Sequence, residues 1–84
     1  MNIKGWSKKE LEASVKAYIE MRNKEKRNEK FIKKEVYRNL SKRFKRPESS
    51  FEYRMQNISF IFDEWGEPWI QGLKPYSHIG ENIK

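Results

Sequence analysis

Apolar positions recur at helical spacing in three stretches of the chain. The most regular stretch is Phe51 to Trp65, where Phe51, Met55, Ile58, Phe62 and Trp65 fall at i, i+4, i+7, i+11 and i+14 and so stack in one stripe. Ser49 with Glu52 three residues on predicts a capping box at its start. Gly66, with Pro68 close behind, predicts its end, because glycine enters a left-handed C-cap at least steric cost and proline prevents continuation. The side opposite the stripe carries Tyr53, Gln56, Asn57 and Phe60 at about 100° per residue. Two aromatics and two amides there imply a cover: a nucleic acid, a partner protein, or the chain's own tail.

The first stretch opens at Trp6-Ser7-Lys8-Lys9-Glu10-Leu11. Ser7 reads as N-cap, Glu10 closes a capping box, and Trp6 faces Leu11 as a hydrophobic staple. Leu11, Val15, Tyr18 and Ile19 supply the stripe expected to face the core, flanked by Ala17 and Met21, over a helix from Lys8 to about Asn23 or a turn further. Arg22 to Lys34 holds seven Lys/Arg and two Glu with apolar residues only at Phe31 and Ile32, which reads as a surface connection. The second helix runs from Lys33 or Lys34 to Phe44 on Val36, Tyr37, Leu40 and Phe44, with Lys34, Arg38, Lys42 and Arg43 on its other face. Pro47 biases Arg46 away from helical geometry and ends it. After the third helix, three of the four glycines and two of the three prolines exclude another long helix. Trp69, Ile70, Leu73, Tyr76 and Ile79 are nonetheless too apolar for a disordered tail. The expected fold is all-α: a three-helix bundle with a helix-turn-helix-like second and third helix and an ordered, extended aromatic C-terminal arm. One domain spans 1–84, ordered over 6–80, with 1–5 and 81–84 frayed.

Charge and composition narrow the function. Residues 1–46 hold sixteen Lys/Arg against six Glu, whereas residues 47–84 hold three against six Asp/Glu, within a net charge of +7. A field polarised in this way favours an anionic partner, nucleic acid before membrane surface; a Lys-rich surface that serves only solubility is the plain alternative. The chain has no cysteine, which excludes disulfides and the usual zinc sites and suits a reducing cytoplasm. No apolar run approaches the roughly 20 residues needed to span a bilayer, and MNIKGWSKKE lacks a signal-peptide core. No enzyme is expected: the one histidine, His78, lies in the tail, and Asp63 and Glu64 sit adjacent on a helix without the convergence a general acid/base pair needs. No metal and no cofactor is expected.

Two helices joined by a short turn are the stronger lead. In a helix-turn-helix the second helix presents its first residues to the major groove while the turn and preceding helix meet phosphates. On that basis Arg38, Lys42, Arg43, Lys45 and Arg46 are the phosphate-binding candidates. Ser50, Tyr53, Arg54 and Asn57 are the base-contacting candidates, since Asn suits adenine and Arg suits guanine. The partner is then double-stranded DNA. A different class of function, a protein-interaction module, would use Tyr53, Phe60, Trp69 and Tyr76 to dock on a nuclease or to form a homodimer. If Trp69 and Tyr76 instead cover Tyr53 and Phe60, the third helix is the buried centre of the domain and the second helix with the 22–34 connection carries any binding, with little sequence preference.

Trp6-Ser7-x-x-Glu10, together with a third helix preceded by a basic turn, loosely resembles Myb/SANT-type helix-turn-helix domains. A closer likeness spans Trp6-Ser7 with Glu10-Leu11, Val15-x-Ala17-Tyr18, Arg46 to Ser59, and Gly66-x-Pro68-Trp69-Ile70-x-Gly72-x-Lys74-Pro75. These stretches resemble a small accessory domain of bacterial HNH-endonuclease and restriction-type proteins. That resemblance implies a DNA-associated role, with Ser50, Glu52, Arg54, Gln56, Asn57 and Ser59 as the marked face. It supplies no catalytic site, because the histidines and asparagines of an HNH motif are missing.

Overall fold

The structure is a computed structural model that describes residues 5–77, and it contains three helices: α1 over Lys8–Lys26, α2 over Lys33–Phe44 and α3 over Glu48–Glu64. No strand occurs among the described residues, so the all-α, three-helix arrangement expected from the periodicity is the one observed. Each helix packs on the other two, α3 most extensively on α2. The core joins Tyr18 and Met21 of α1, Tyr37 and Leu40 of α2, Phe51, Met55 and Ile58 of α3, and Ile70 and Leu73 beyond it. No helix among the described residues is long and apolar enough to cross a membrane.

The start of α1 is capped as its sequence requires. The Ser7 hydroxyl accepts the Glu10 N–H at 3.1 Å, and the Glu10 carboxylate accepts the Ser7 N–H at 2.8 Å. Its end lies a turn beyond Asn23, where Asn28 adopts a left-handed φ of 58°. There the Asn28 and Glu29 amides return to the Glu25 and Lys24 carbonyls, a Schellman closure with asparagine in the place usually taken by glycine.

The stripe expected to bury α1 is corrected by the structure. Val15 and Ile19 are 43% and 41% exposed, and Leu11 is only partly covered. The face turned inward is the neighbouring one: Glu10, Ser14, Tyr18 and Met21 are buried, with Ala13 and Ala17 packed against the core. The reason is steric and polar together. The small side chains of Ala13, Ser14 and Ala17 let α1 approach closely, and Ser14 returns its hydroxyl to the Glu10 carbonyl at 2.9 Å, so its burial leaves no unpaired group.

Along α2, Tyr37 and Leu40 are buried and Val36 and Phe44 pack beside them, as expected. Lys45 turns left-handed at φ 58° with its N–H on the Ser41 carbonyl at 2.7 Å, and the Ser41 hydroxyl bonds the Arg46 carbonyl at 2.5 Å. Only Lys45 to Pro47 separate α2 from α3.

The start of α3 departs from the expected capping box. Pro47 is the N-cap, no side chain caps the helix, and Ser49 lies inside the first turn. Proline's fixed φ, here −58°, already sets the entry direction, so the helix begins before Ser49 could act as its cap. The end is as expected: Gly66 takes φ +74° and the Gly66 and Glu67 amides close on Asp63 and Phe62. Trp65, counted with the core stripe, is instead 69% exposed. Tyr18 stacks on Phe62 at 5.4 Å and fills the inner side of that turn, leaving Trp65 to lie edge-on against Phe62 from outside.

From Gly66 to Ser77 the chain has no regular element, yet Ile70 and Leu73 are fully buried. The Tyr18 hydroxyl holds this segment: it pairs with the Ser59 hydroxyl at 2.8 Å and accepts the Ile70 N–H at 3.1 Å. The Tyr76 N–H reaches the Gln56 carbonyl of α3 at 3.1 Å. The remainder of the expected arm, including His78 and Ile79, lies outside the described residues, as do 81–84 and all but Gly5 of the 1–5 lead-in expected to fray.

Candidate nucleic-acid interface

Because α2 turns Val36, Tyr37, Leu40 and Phe44 inward, residues at i, i+4 and i+8 from Lys34 fall together on an outer flank. They are Lys34, Arg38 and Lys42, all exposed, and the exposed Lys45 follows at the left-handed C-cap. None takes part in an ion pair among the described residues. From Lys34 to Lys42 the row is about 12 Å long at helical rise. Arg43 is also exposed, but lies on the other side of the core face, with its guanidinium 4.8 Å from the Phe44 ring centre.

Arg46 is differently employed. Its guanidinium makes two bonds to Glu10, at 2.6 and 3.1 Å, donates to the Gly5 carbonyl, and lies 4.2 Å from the Trp6 ring centre. The pair is strong because both charges are partly withdrawn from water and meet two-pronged. Arg46, with the Ser7 amide next, holds the Glu10 carboxyl down at about 2. Glu10 in turn raises Arg46. This clasp ties the lead-in of α1 to the α2–α3 turn.

The base-contacting candidates on α3 divide in the same way. Ser50 and Tyr53 are half-buried, whereas Arg54 and Asn57 are 8% and 3% exposed. Arg54 donates to the Asn57 side-chain oxygen at 2.6 Å, and the Asn57 amide nitrogen donates to the Tyr76 carbonyl at 2.5 Å. The Arg54 guanidinium also sits 4.5 Å from the Trp6 ring centre and 5.5 Å from that of Tyr53. Burial lowers its pKa, although an arginine stays charged. Its Nε has no partner among the described residues. To meet a base, both side chains would have to leave bonds that hold α3 to the segment after it.

A shallow cleft between α2 and α3 is lined by Lys33, Lys34, Tyr37, Glu48, Ser49 and Glu52. The Tyr37 hydroxyl there is buried without a partner among the described residues. Burial, reinforced by the Glu52 charge, pushes it up to about 12. Glu48 in the first turn of α3, with Glu52 one turn on, makes that helix end acidic, which opposes phosphate there. Of the aromatic surface considered for a protein partner, Tyr76 stands edge-on to Tyr53 at 5.4 Å and is 51% exposed, while Phe60 and Trp69 are half-buried. Among the described residues no group of acidic side chains could hold a metal.

Sequence reasoning placed Lys34 on the basic face of α2 without counting it among the phosphate-binding candidates, although its spacing from Arg38 was a usable signal. The Glu10–Arg46 clasp joins residues 36 positions apart and had no local signal. Compared with protein-family models, with curated proteins and with solved structures, the chain matches none.

Proposed function

We propose that the protein is a non-enzymatic module that binds double-stranded DNA through phosphate contacts, with little preference for sequence. The observation that carries this reading is the unpaired, exposed row Lys34, Arg38 and Lys42 on α2, with Lys45 exposed and unpaired at its C-cap. Arg43 adds charge from beside it. Arg46 serves the clasp, and Arg54 and Asn57 serve the interior, so base reading falls to Ser50 and Tyr53 at most. A field of phosphates is the natural counterpart of four cations, three along one helix flank and one at its end, since neutralising them releases counterions from the duplex. The likeness to accessory domains of bacterial HNH-endonuclease and restriction-type proteins supports a role beside a nuclease, in a bacterial cytoplasm.

Fluorescence anisotropy of a random duplex, titrated at several salt concentrations, tests this. Four phosphate contacts give a slope of log affinity on log salt of about −3.6. Arg38→Glu and Lys42→Glu should each weaken binding to every sequence alike and flatten that slope by about 1. No duplex binding at low salt, or a double variant that binds like the parent, sinks the reading.

A further inference from the structure

The Tyr37 hydroxyl, at the cleft between α2 and α3, is a buried polar group that the fold leaves unanswered. Tyr37 is 6% exposed, and its hydroxyl has no partner among the described residues. It is a donor in need of an acceptor, since burial and the nearby Glu52 charge keep it protonated. That charge also places the hydroxyl at the side of the cleft that Glu52 lines. A buried donor without a partner costs the loss of its hydration, so one kept at the wall of an open cleft points to an acceptor from outside.

The walls of the cleft say what that acceptor is attached to. Glu48 and Glu52 stand one turn apart on α3, and neither is in an ion pair among the described residues. Lys34, on the α2 wall, is equally unpaired. Lys33 also lines the cleft, but its ammonium lies 5.7 Å from the Phe31 ring centre. The cleft thus offers two carboxylates to a cation, and an ammonium with a hydroxyl to an anion. Its volume of about 450 Å³ gives room for a small molecule. Phosphate is opposed by the two carboxylates, and a simple cation leaves the Tyr37 hydroxyl unmet.

We propose that this cleft binds a free basic amino acid of the arginine type, its carboxylate held by the Tyr37 hydroxyl and Lys34 and its guanidinium by Glu48 and Glu52. A planar guanidinium has five donors and can serve two carboxylates at once. Because the hydroxyl is covered in the free protein, the exposed Glu52 side chain turns onto the guanidinium as the ligand enters. The inference stands independently of DNA binding, although Lys34 also belongs to the row on α2.

An NMR titration of the isotope-labelled full chain, without DNA, tests this. L-Arginine should shift the amides of residues 33–37 and 48–52 saturably, with half-saturation at about 1 mM, as suits a few part-exposed ionic contacts. L-Citrulline, which keeps the shape without the charge, and agmatine, which lacks the carboxylate, should each bind at least about tenfold more weakly. Tyr37→Phe should weaken L-arginine about fivefold yet leave the urea unfolding midpoint unchanged or raised, because the hydroxyl has no bond to lose. Glu52→Gln, at an exposed position, should weaken L-arginine by a similar factor. Absence of saturable shifts at about 50 mM L-arginine overturns the proposal. So does L-citrulline or agmatine binding as tightly as L-arginine, or either variant binding like the parent. A lowered unfolding midpoint in Tyr37→Phe overturns it too, by showing that the hydroxyl already has a partner within the chain.

Discussion

Arg54 with Asn57 and Arg38 with Lys42 are pairs of polar side chains on helices, and a linear reading gives both the same task of meeting DNA. The fold separates them. Arg54 and Asn57 are shielded, bonded to each other and to the Tyr76 carbonyl, whereas Arg38 and Lys42 stand in water without an ion pair among the described residues. A cation's surroundings, more than its type, decide whether it recognises a ligand or holds a structure together. Buried, its hydrogen-bonding groups must be satisfied from within. Exposed, it costs little and remains free for phosphate.

The contrast breaks most visibly at Asn57. Asn57→Ala strands the buried Arg54 guanidinium and the Tyr76 carbonyl, and should cost about 2–3 kcal/mol in urea unfolding, while Arg38→Ala should stay within about 0.5 kcal/mol. Equal losses at the two sites would erase the distinction. The caps sharpen it at a smaller scale. Ser7→Ala removes a made cap bond and should cost about 1 kcal/mol, but Ser49→Ala removes none and should change stability by no more than a few tenths.

Acid provides a further, graded probe. The folded Glu10 carboxyl titrates at about 2, below its ordinary 4.5, because Arg46 and the Ser7 amide hold its charged form. A depressed acid stabilises the fold fully above its unfolded pKa, and that contribution drains away as pH falls from about 4.5 toward 2. Glu10→Gln should therefore flatten the loss of stability over that window in chemical denaturation. An unchanged acid profile would show that the clasp does not form in solution.

Much of the fold was legible. The span of α2 was read from its own four apolar residues, the Ser7 capping box from two side chains, and the end of α3 from Gly66 and Pro68. Each is a local pattern whose physics is complete within a few residues. The inward face of α1 was not legible, because two adjacent faces of that helix compete. Leu11, Val15 and Ile19 look like core by hydrophobicity, but Ala13, Ser14 and Ala17 win by allowing closer approach. Proline at the entry to α3 likewise overrode a Ser-x-x-Glu pattern that would otherwise mark a cap. At the candidate interface, the exposed row on α2 followed from periodicity. The burial of Arg54 and Asn57 and the diversion of Arg46 depend on Tyr76 and Glu10, residues distant in the chain, which no local pattern announces.

The Tyr18 hydroxyl touches both Ser59 of α3 and the Ile70 amide, 52 positions along the chain. Helix, helix and trailing segment thus share one oxygen, and none of the three can part without breaking a bond to it. In deuterated solvent the Ile70 amide should consequently exchange only when the whole molecule opens, at a rate set by global stability. The neighbouring Gln71 amide, held by an exposed bond to the half-buried Glu25 carboxylate, should exchange through brief local opening. Two adjacent protons would then serve as clocks, one timing the collapse of the entire domain and the other the flicker of its surface.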